Sequence, residues 1–336
     1  MSTVTFKELG SLNDSVFGKS TEPIKMFLEK KAEAYEAESL YDKIFFKDTS
    51  SNFAEKITGM TAMDGFKPTD EGATLEDDSM QEGYSKVIEH IEWTDKFSIS
   101  RKIIDDAKTM DLRKRPEAFL AGYYRTREQY AAALYGAAVG GSTAFRGKSG
   151  ILDPLSADGQ NVFATEHPSK VHSDLKQTNK FSDAFSAEAL AAVETAMQNF
   201  RGDNGEVLNV IPNTIMIPND YKLKMAVFAA LGADKDPATS NNGFNYTFGR
   251  YNVIINPYLN QYLPSGTTPW FLLDMNYAES NGGGVWFDRV PLEVSNEVKK
   301  DPFSTIWYGY SRFAAGFADW RYVACGGVTG GTEATA

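Results

Sequence analysis

One stretch, between Phe53 and Ser100, constrains the fold of this chain more than any other. Its pattern predicts a strand, a long acidic loop, a second strand and then the opening of a helix. From Asp64 to Glu82 the loop holds seven acidic residues and a single base, Lys67. Connections longer than about 12–15 residues without a core of their own are uncommon in compact domains and are usually functional or disordered. We therefore expect this hairpin to find its partner surface on another copy of the chain, which favours an assembling protein over an enzyme.

Size and composition predict a folded protein with a large core. The chain has 336 residues, of which 42% are hydrophobic, including 22 Phe, 16 Tyr and 5 Trp. This composition excludes wholesale disorder. The formal net charge is −11, and an acidic chain is repelled by phosphate backbones, so sequence-specific nucleic-acid binding is not expected. The acidity is explained either by solubility or by avoidance of DNA.

The remaining global features favour a reducing compartment and no membrane. A single cysteine, Cys325, cannot form an internal disulfide and is expected to be a small buried apolar residue. The N-terminus lacks the cationic start and apolar segment of a signal peptide. No run of 18 apolar residues is present, so no membrane-spanning segment is expected.

Hydrophobic periodicity predicts four helices separated by short strands. We expect helices from Pro23 to about Leu40, from Pro116 to Val139, from Ser186 to a stop at Gly202, and from Asn219 or Asp220 to Leu231. Predicted strands are 43–47, 53–58, 87–100, 213–218, 251–256, 269–275, 284–289, 292–298 and one or two within 305–325. Because the strands and helices show no regular βαβ alternation, the fold class is predicted to be α+β with mixed sheets.

No catalytic constellation emerges from the motifs. His167 lies near Asp153, Asp158 and Glu166 in the sequence, which leaves an acid–base or metal site conceivable, but its loop context favours a residue that caps a turn. The sequence contains no CxxC and no Gly-x-Ser-x-Gly motif. We therefore expect no catalytic residues, no cofactor and no metal.

The charge pattern suggests where copies of the chain could meet. A basic segment between the loop and the long helix comprises Arg101, Lys102, Lys108, Arg113, Lys114 and Arg115. It is either a solvated face or a docking surface for the acidic loop of a neighbouring copy. The second alternative predicts an inter-subunit contact of Asp70, Glu71, Glu76, Asp77 and Asp78 with Arg113, Lys114 and Arg115. Such charges set the geometry of an interface more than its strength.

The order of elements resembles the major capsid proteins of tailed phages with the Hong Kong 97 fold, and within them the Mu-type major head subunit. The resemblance runs from about residue 23 to residue 325. It rests on FSISRKIIDDA at 97–107, QYAAALYGAA at 129–138, NVFATEHPS at 161–169, IPNTIMIPND at 211–220, NPYL at 256–259 and RFAAGFADWRYVACG at 312–326.

The resemblance implies a division into named parts. Residues 1–50 would be an N-terminal arm and residues 51–96 an extended loop. A peripheral domain with the long spine helix would comprise 97–181 and 289–326. Residues 182–288 would form an axial domain around five-fold and six-fold centres, with its loop at 232–246 facing the axis, and residues 327–336 would be a flexible tail.

The implied function is that of a non-enzymatic shell subunit. It would self-assemble into pentamers and hexamers of an icosahedral phage head that packages double-stranded DNA, in the virion, after assembly in the bacterial host cytoplasm. Separate scaffolding, portal and decoration proteins are expected partners. Lys67 is the only lysine between residues 64 and 82, and residues 305–331 contain no asparagine, so we expect no lysine–asparagine cross-link between subunits. An encapsulin-like nanocompartment shell and a soluble hydrolase using His167 remain alternatives.

Overall fold

A computed structural model describes residues 4–8, 18–60, 66, 68–71, 74, 82–106, 109–172, 174–232, 245, 247–300 and 303–334. Its helices are α1 (Gly18–Ala37), α2 (Arg101–Asp105), α3 (Thr109–Ala138), α4 (Ala187–Gln198), α5 (Tyr221–Leu231) and α6 (Met275–Asn281). Its strands are β1 (Val4–Glu8), β2 (Phe46–Thr49), β3 (Ala54–Met60), β4 (Glu82–Glu89), β5 (Ile91–Ser100), β6 (His167–Pro168), β7 (Lys176–Gln177), β8 (Thr214–Pro218), β9 (Asn252–Asn256), β10 (Trp270–Leu273), β11 (Gly284–Lys300), β12 (Phe303–Phe317) and β13 (Val323–Gly326). Short 3-10 helices cover Tyr41–Lys43 and Leu259–Gln261. The α+β class is as predicted.

The first sheet is built on a long antiparallel hairpin of β11 and β12. Its strand order is β1-β11-β12-β5, and β2 also pairs with β11 in parallel. We predicted two strands, 284–289 and 292–298, where the structure has one strand with register shifts between Asp288 and Glu293. Pro291 lies in this irregular stretch, and a proline has no N–H to donate to a regular ladder. The predicted break is therefore an irregularity within one strand.

The long helix α3 packs against this sheet. Its buried residues include Tyr130, Leu134 and Tyr135 together with a run of alanines, so the helix can approach its neighbours closely. The helix begins at Thr109, whereas we predicted Pro116 as its first residue. A proline inside a helix removes one backbone hydrogen bond, and packing of the following turns outweighs that loss here. Helix α1 likewise begins at Gly18, five residues before the predicted Pro23, and it ends at Ala37.

The second sheet has the strand order β13-β10-β8-β9, and helix α4 packs on β13. The buried residues of helices α4 and α5 belong to the main hydrophobic core. Both helices start as predicted, because the side chains of Ser186 and Asp220 accept a hydrogen bond from the backbone N–H three residues later. Strand β13 pairs with β10, with Cys325 opposite Phe271. Val323–Gly326, which we assigned with 289–326 to a peripheral domain, thus pair with the second sheet. Gly284–Asp288, which we assigned with 182–288 to an axial domain, lie in β11 of the first sheet. The division into domains stays a prediction.

The segment predicted as a flexible tail is packed against the body over its described residues. Val328 is buried, and Thr332 N–H donates to the carbonyl of Lys180 at 3.0 Å. The backbone N–H of Ala334 donates to an Asp183 carboxylate oxygen at 2.8 Å. These bonds form a parallel contact with residues 180–183. No local pattern in the sequence predicts this contact.

One aromatic core joins the two sheets. Tyr135 of α3 lies 5.5 Å from Phe271 of the second sheet and 5.4 Å from Phe317 of the first, between ring centroids. Its hydroxyl also donates to the carbonyl of Ile44 at 3.0 Å. Helix α3 therefore holds both sheets and the arm in one packed unit. Within the described residues, no helix is long and apolar enough to cross a membrane.

Candidate subunit interface

The predicted hairpin is present as β3 and β4, an antiparallel ribbon in which Ala54 faces Glu89 and Ile57 faces Lys86. Ile88 is buried and packs against Val285 and Phe287 of the first sheet. The ribbon can form because Gly83 lies directly against Gly59. A Cβ at Gly83 would stand 3.0 Å from the Gly59 carbonyl carbon.

The base of the ribbon is held by its own chain. The ammonium group of Lys170 donates to the backbone carbonyls of Glu82 at 2.8 Å and Gly83 at 2.7 Å. Lys86 forms an ion pair with Asp153. The base of the hairpin therefore packs on its own chain, and a contact of the hairpin with another copy stays a prediction.

The described loop residues are exposed. They are Phe66, Pro68, Thr69, Asp70, Glu71 and Thr74. The Phe66 side chain is fully exposed to solvent. Asp70 and Glu71 are thus available to a partner. Glu76, Asp77 and Asp78 lie outside the described residues.

The basic segment has two of its predicted contact residues at the surface. Lys114 and Arg115 are exposed on the first half of α3. The Arg115 guanidinium donates to the backbone carbonyl of Ser98, so it is fixed beside the end of β5. The side chain of Arg113 is outside the described residues. Among the described ion pairs, none joins this segment to Asp70 or Glu71 of the same chain.

Helix α5 presents an exposed apolar stripe that the sequence analysis missed. Tyr221, Met225 and Phe228 lie at spacings of four and three, on one face, with 71%, 58% and 51% of their surface exposed. The opposite face, with Leu223, Val227 and Leu231, is buried in the main hydrophobic core. The helix is apolar on both sides, which is the signal that could have identified the stripe.

A groove also lies between β5, α3 and the turn at 145–148. It has a volume of about 470 Å³ and an aromatic floor that includes Trp93, Phe145 and Phe313. No local sequence pattern reveals this groove, because its walls come from segments about twenty to two hundred residues apart.

Arg127 anchors the arm to α3 and the first sheet. Its buried guanidinium donates to the hydroxyls of Tyr123 and Tyr41, each at 2.8 Å, and to Asp288 at 2.7 Å. Burial alone would raise the pKa of Glu36, but the charges of Arg127 and Lys47 lower it below its ordinary value. This network places residues 36–49 firmly against the body.

His167 is a structural residue. It is buried, its Nδ1 is 2.6 Å from an Asp158 oxygen, its Nε2 is 3.1 Å from Asn179 Oδ1, and its ring stacks on Trp320 at 4.1 Å. Burial favours a raised pKa for Asp158, yet the hydrogen bond from His167 lowers it.

The other predicted acids, Asp153 and Glu166, bond instead to Lys86 and Lys176. Among the described residues, no group of three or more His, Cys, Asp or Glu is arranged to hold a metal ion. Cys325 is buried as predicted, and burial raises the pKa of its thiol.

Comparisons with known proteins identify relatives of this fold. The sequence profile of a family described as phage capsid protein matches residues 83–326. No curated protein matches the chain at a significant level. The capsid of Ralstonia phage GP4 superimposes with a TM-score of 0.52 at 13% identity, covering 87% of this chain and 88% of that chain. The capsid of cyanophage P-SCSP1u gives a TM-score of 0.49 at 12% identity, covering 86% and 87%. The capsid of Myoviridae phage XM1 also gives 0.49, at 11% identity, covering 82% and 87%.

Proposed function

The chain belongs to the phage capsid protein family, and from that membership we propose that it assembles into pentamers and hexamers of an icosahedral head that packages double-stranded DNA. It is a structural, non-enzymatic protein of the virion, a subunit of a shell built from multiple copies, so the hydrolase alternative is set aside. The closer likeness to the Mu-type branch stays a prediction. Assembly in the bacterial host cytoplasm, with separate scaffolding, portal and decoration proteins, is part of the proposal.

The structural observation that supports assembly from multiple copies is the apolar stripe on α5. Three large apolar side chains exposed on one helix face are unusual for a protein that stays alone, and such patches mark contact sites. We propose that Tyr221, Met225 and Phe228 contact the neighbouring subunit within a capsomer. Heterologous contacts of this kind close into rings when the rotation between copies closes.

The proposed division of the subunit follows the predicted parts, with revised limits. Residues 1–50 would be the N-terminal arm and 51–96 the extended loop. The peripheral part would comprise α3 and the first sheet, including 284–317. The axial part would comprise 182–283 together with Val323–Gly326, and its loop at 232–246 would face the capsomer axis.

We also propose that charges guide the contact between loop and neighbour. The acidic side would be Asp70, Glu71, Glu76, Asp77 and Asp78, and the basic side Arg113, Lys114 and Arg115. Each exposed pair contributes about 1 kcal/mol or less, so these charges would direct geometry more than strength. Reversal of the three bases to Glu is expected to lower particle yield most strongly at low salt, and an unchanged yield would contradict the proposed pairing.

The proposed shell is tested on the full chain. After expression, sedimentation and negative-stain microscopy should reveal closed particles of uniform size. A phage head and an encapsulin-like nanocompartment then differ in their contents. Particles from infected or induced cells should protect kilobases of DNA from nuclease if the chain forms a phage head, whereas a nanocompartment would protect a cargo protein instead. A chain that stays monomeric at all concentrations and salt conditions would refute both.

A further inference from the structure

We propose that Arg289, Arg312 and His90 form a binding site for a free oxyanion of the phosphate or sulfate class. The site lies on the face of the first sheet that is turned away from α3. It goes beyond the proposed shell function, because it belongs to each subunit alone and needs no second copy.

The alternation of side chains along the strands places Arg312 and His90 on the same face of the sheet. Phe313 of β12 faces α3, with its ring centroid 6.1 Å from that of Tyr130. Arg312, the residue before it, therefore points to the other face. His90 lies on that other face too, because its ring meets the ring of Phe287 edge-on at 6.3 Å, and Phe287 belongs to the small apolar cluster there.

A β-bulge brings Arg289 beside Arg312. The ladder pairs Asp288 with Phe313 and Val290 with Arg312, so Arg289 is an extra residue of β11. Bulges of this kind turn a side chain in a new direction and are common next to functional sites. Two arginines of adjacent strands are thus held at the same point of the ladder.

All three side chains contain a buried nitrogen atom without a partner. The atoms are Nη1 of Arg289, Nε of Arg312 and Nδ1 of His90, and none of them has a hydrogen-bond partner among the residues that the structure describes. A buried polar atom without a partner is costly, and the cost is larger on a charged group. His90 is only 7% exposed, whereas both arginines are half-buried, which leaves part of each arginine side chain open to solution.

The described carboxylates do not neutralise the two arginines. Neither Arg289 nor Arg312 forms an ion pair within the described ranges of the chain. Glu92 is opposite Arg312 in the ladder, but it is exposed and is not paired with it. Two neighbouring guanidinium groups repel each other, and this is unusual in a chain with a net charge of −11. Guanidinium groups bind phosphate oxygens through parallel pairs of hydrogen bonds, so an oxyanion would remove the repulsion.

A free tetrahedral ion fits this arrangement better than a carboxylate of another protein. The two guanidinium groups come from different strands, and the unpartnered atoms lie below the surface. Phosphate and sulfate direct their oxygens to the corners of a tetrahedron, so one ion can accept from both groups and from a third donor. A carboxylate has its oxygens in one plane and brings a backbone that must also approach the sheet.

His90 supplies the third donor when it is protonated. The Ser50 hydroxyl donates to a carboxylate oxygen of Glu55 at 2.6 Å, so it accepts from the Nε2–H of His90 at 2.8 Å. The neutral ring therefore has a lone pair on Nδ1, and protonation turns that atom into a donor.

The charge around His90 couples its protonation to the anion. Burial and the charges of Arg289 and Arg312 lower the pKa of His90, while the charges of Glu55 and Asp288 act in the opposite direction. An oxyanion beside the two arginines offsets their charge, so His90 gains a proton more readily when the site is filled. By the same coupling, the anion should bind more tightly at about pH 6 than at about pH 8.

Thermal unfolding of the full chain in sulfate tests the site. Sulfate keeps both of its charges over this pH range, and sodium chloride holds the ionic strength constant. Sulfate at about ten times its dissociation constant, measured by calorimetric titration, should raise the melting temperature by about 2 °C. Arg289→Gln and Arg312→Gln should each remove most of this rise. The matched control Arg125→Gln changes an exposed arginine on α3 and should keep it. Sulfate also stabilises proteins without binding, so the difference between variants is the measure.

The variants also separate binding from a loss of folding. Without sulfate, Arg312→Gln should melt no lower than the unaltered chain, because it removes the repulsion between the two guanidinium groups. His90→Gln should keep a sulfate-induced rise that no longer depends on pH. If a variant does not fold, calorimetric titration of the unaltered chain with sulfate at both pH values still decides.

The outcomes that would overturn the inference are distinct from those that bear on the shell. No rise in the unaltered chain, or an equal rise in Arg289→Gln, Arg312→Gln and Arg125→Gln, would overturn the site. Equal binding at both pH values would overturn His90 as the third donor. The measurements are made on the chain before assembly, so this inference and the proposed function fail independently.

Discussion

Replacement of Arg127 by methionine measures how strongly the arm is held to the body. The buried guanidinium donates to the Tyr41 hydroxyl at 2.8 Å and to Asp288 at 2.7 Å, and it lies 5.1 Å from the Trp286 ring centroid. Methionine keeps most of the apolar contact with Trp286 but removes the charge and the donors. The change therefore isolates the electrostatic part of the anchor.

The expected cost follows from what remains around Asp288. Removing one partner of a buried ion pair costs about 3–5 kcal/mol, because the other charge is left buried without compensation. Asp288 keeps the ammonium of Lys47 at 3.5 Å and the Trp286 indole N–H at 3.0 Å. We therefore expect Arg127→Met to lower the free energy of unfolding by about 3 kcal/mol, the lower end of that range.

The assay is urea unfolding followed by tryptophan fluorescence. The matched control is Arg125→Met, two residues earlier on the same helix and exposed, which should change the unfolding free energy by about 0.5 kcal/mol or less. Arg127→Lys should fall between the two, because lysine keeps the charge but lacks the planar fork of donors. If Arg127→Met lowers the free energy of unfolding no more than Arg125→Met does, Arg127 does not anchor residues 36–49 to the body.

Three further predictions concern pH, packing and assembly. Because the folded-state pKa of Glu36 lies below its ordinary value of 4.5, its stabilisation is complete above that pH and is lost as the pH falls through the folded pKa. Glu36→Gln should therefore flatten the acid decline of melting temperature, and an unchanged profile would contradict this. Gly309→Ala should destabilise by about 2 kcal/mol in denaturant unfolding, since its Cβ would overlap the Phe119 ring. Gly122→Ala on α3, where a Cβ meets nothing, should instead stabilise by about 0.5–1 kcal/mol, and equal effects would contradict the packing argument. Met225→Glu should lower particle yield in sedimentation without lowering the melting temperature, and normal yield would remove the stripe from the interface.

Local signals in the sequence determined several elements correctly. The caps at Ser186 and Asp220 could be predicted because a short polar side chain bonds its own helix within three residues. The hairpin of β3 and β4, the buried strand at 214–218 and the α+β class also follow from periodicity and turn residues. The order of motifs was sufficient to suggest the family that the profile match establishes.

Local signals failed where long-range packing outweighs a local preference. Pro116 indicated a helix start, but α3 extends seven residues further toward the N-terminus. The glycine-rich end of the chain indicated flexibility, yet Val328 is buried and Thr332 bonds to Lys180. The partner of the C-terminal segment, Lys180, is 152 residues away from Thr332 and leaves no local pattern.

For the candidate interface, too, some features could be predicted from the sequence and others could not. The sequence by itself determined that the loop is acidic, that residues 101–115 are basic, and that the core is large enough to fold. Only the tertiary structure decided that Lys170 holds the hairpin base, that His167 is enclosed by Asp158 and Trp320, and that a groove forms between β5 and α3. The physical reason is that charge and periodicity are properties of neighbouring residues, whereas a surface is formed by whichever distant segments the core brings together.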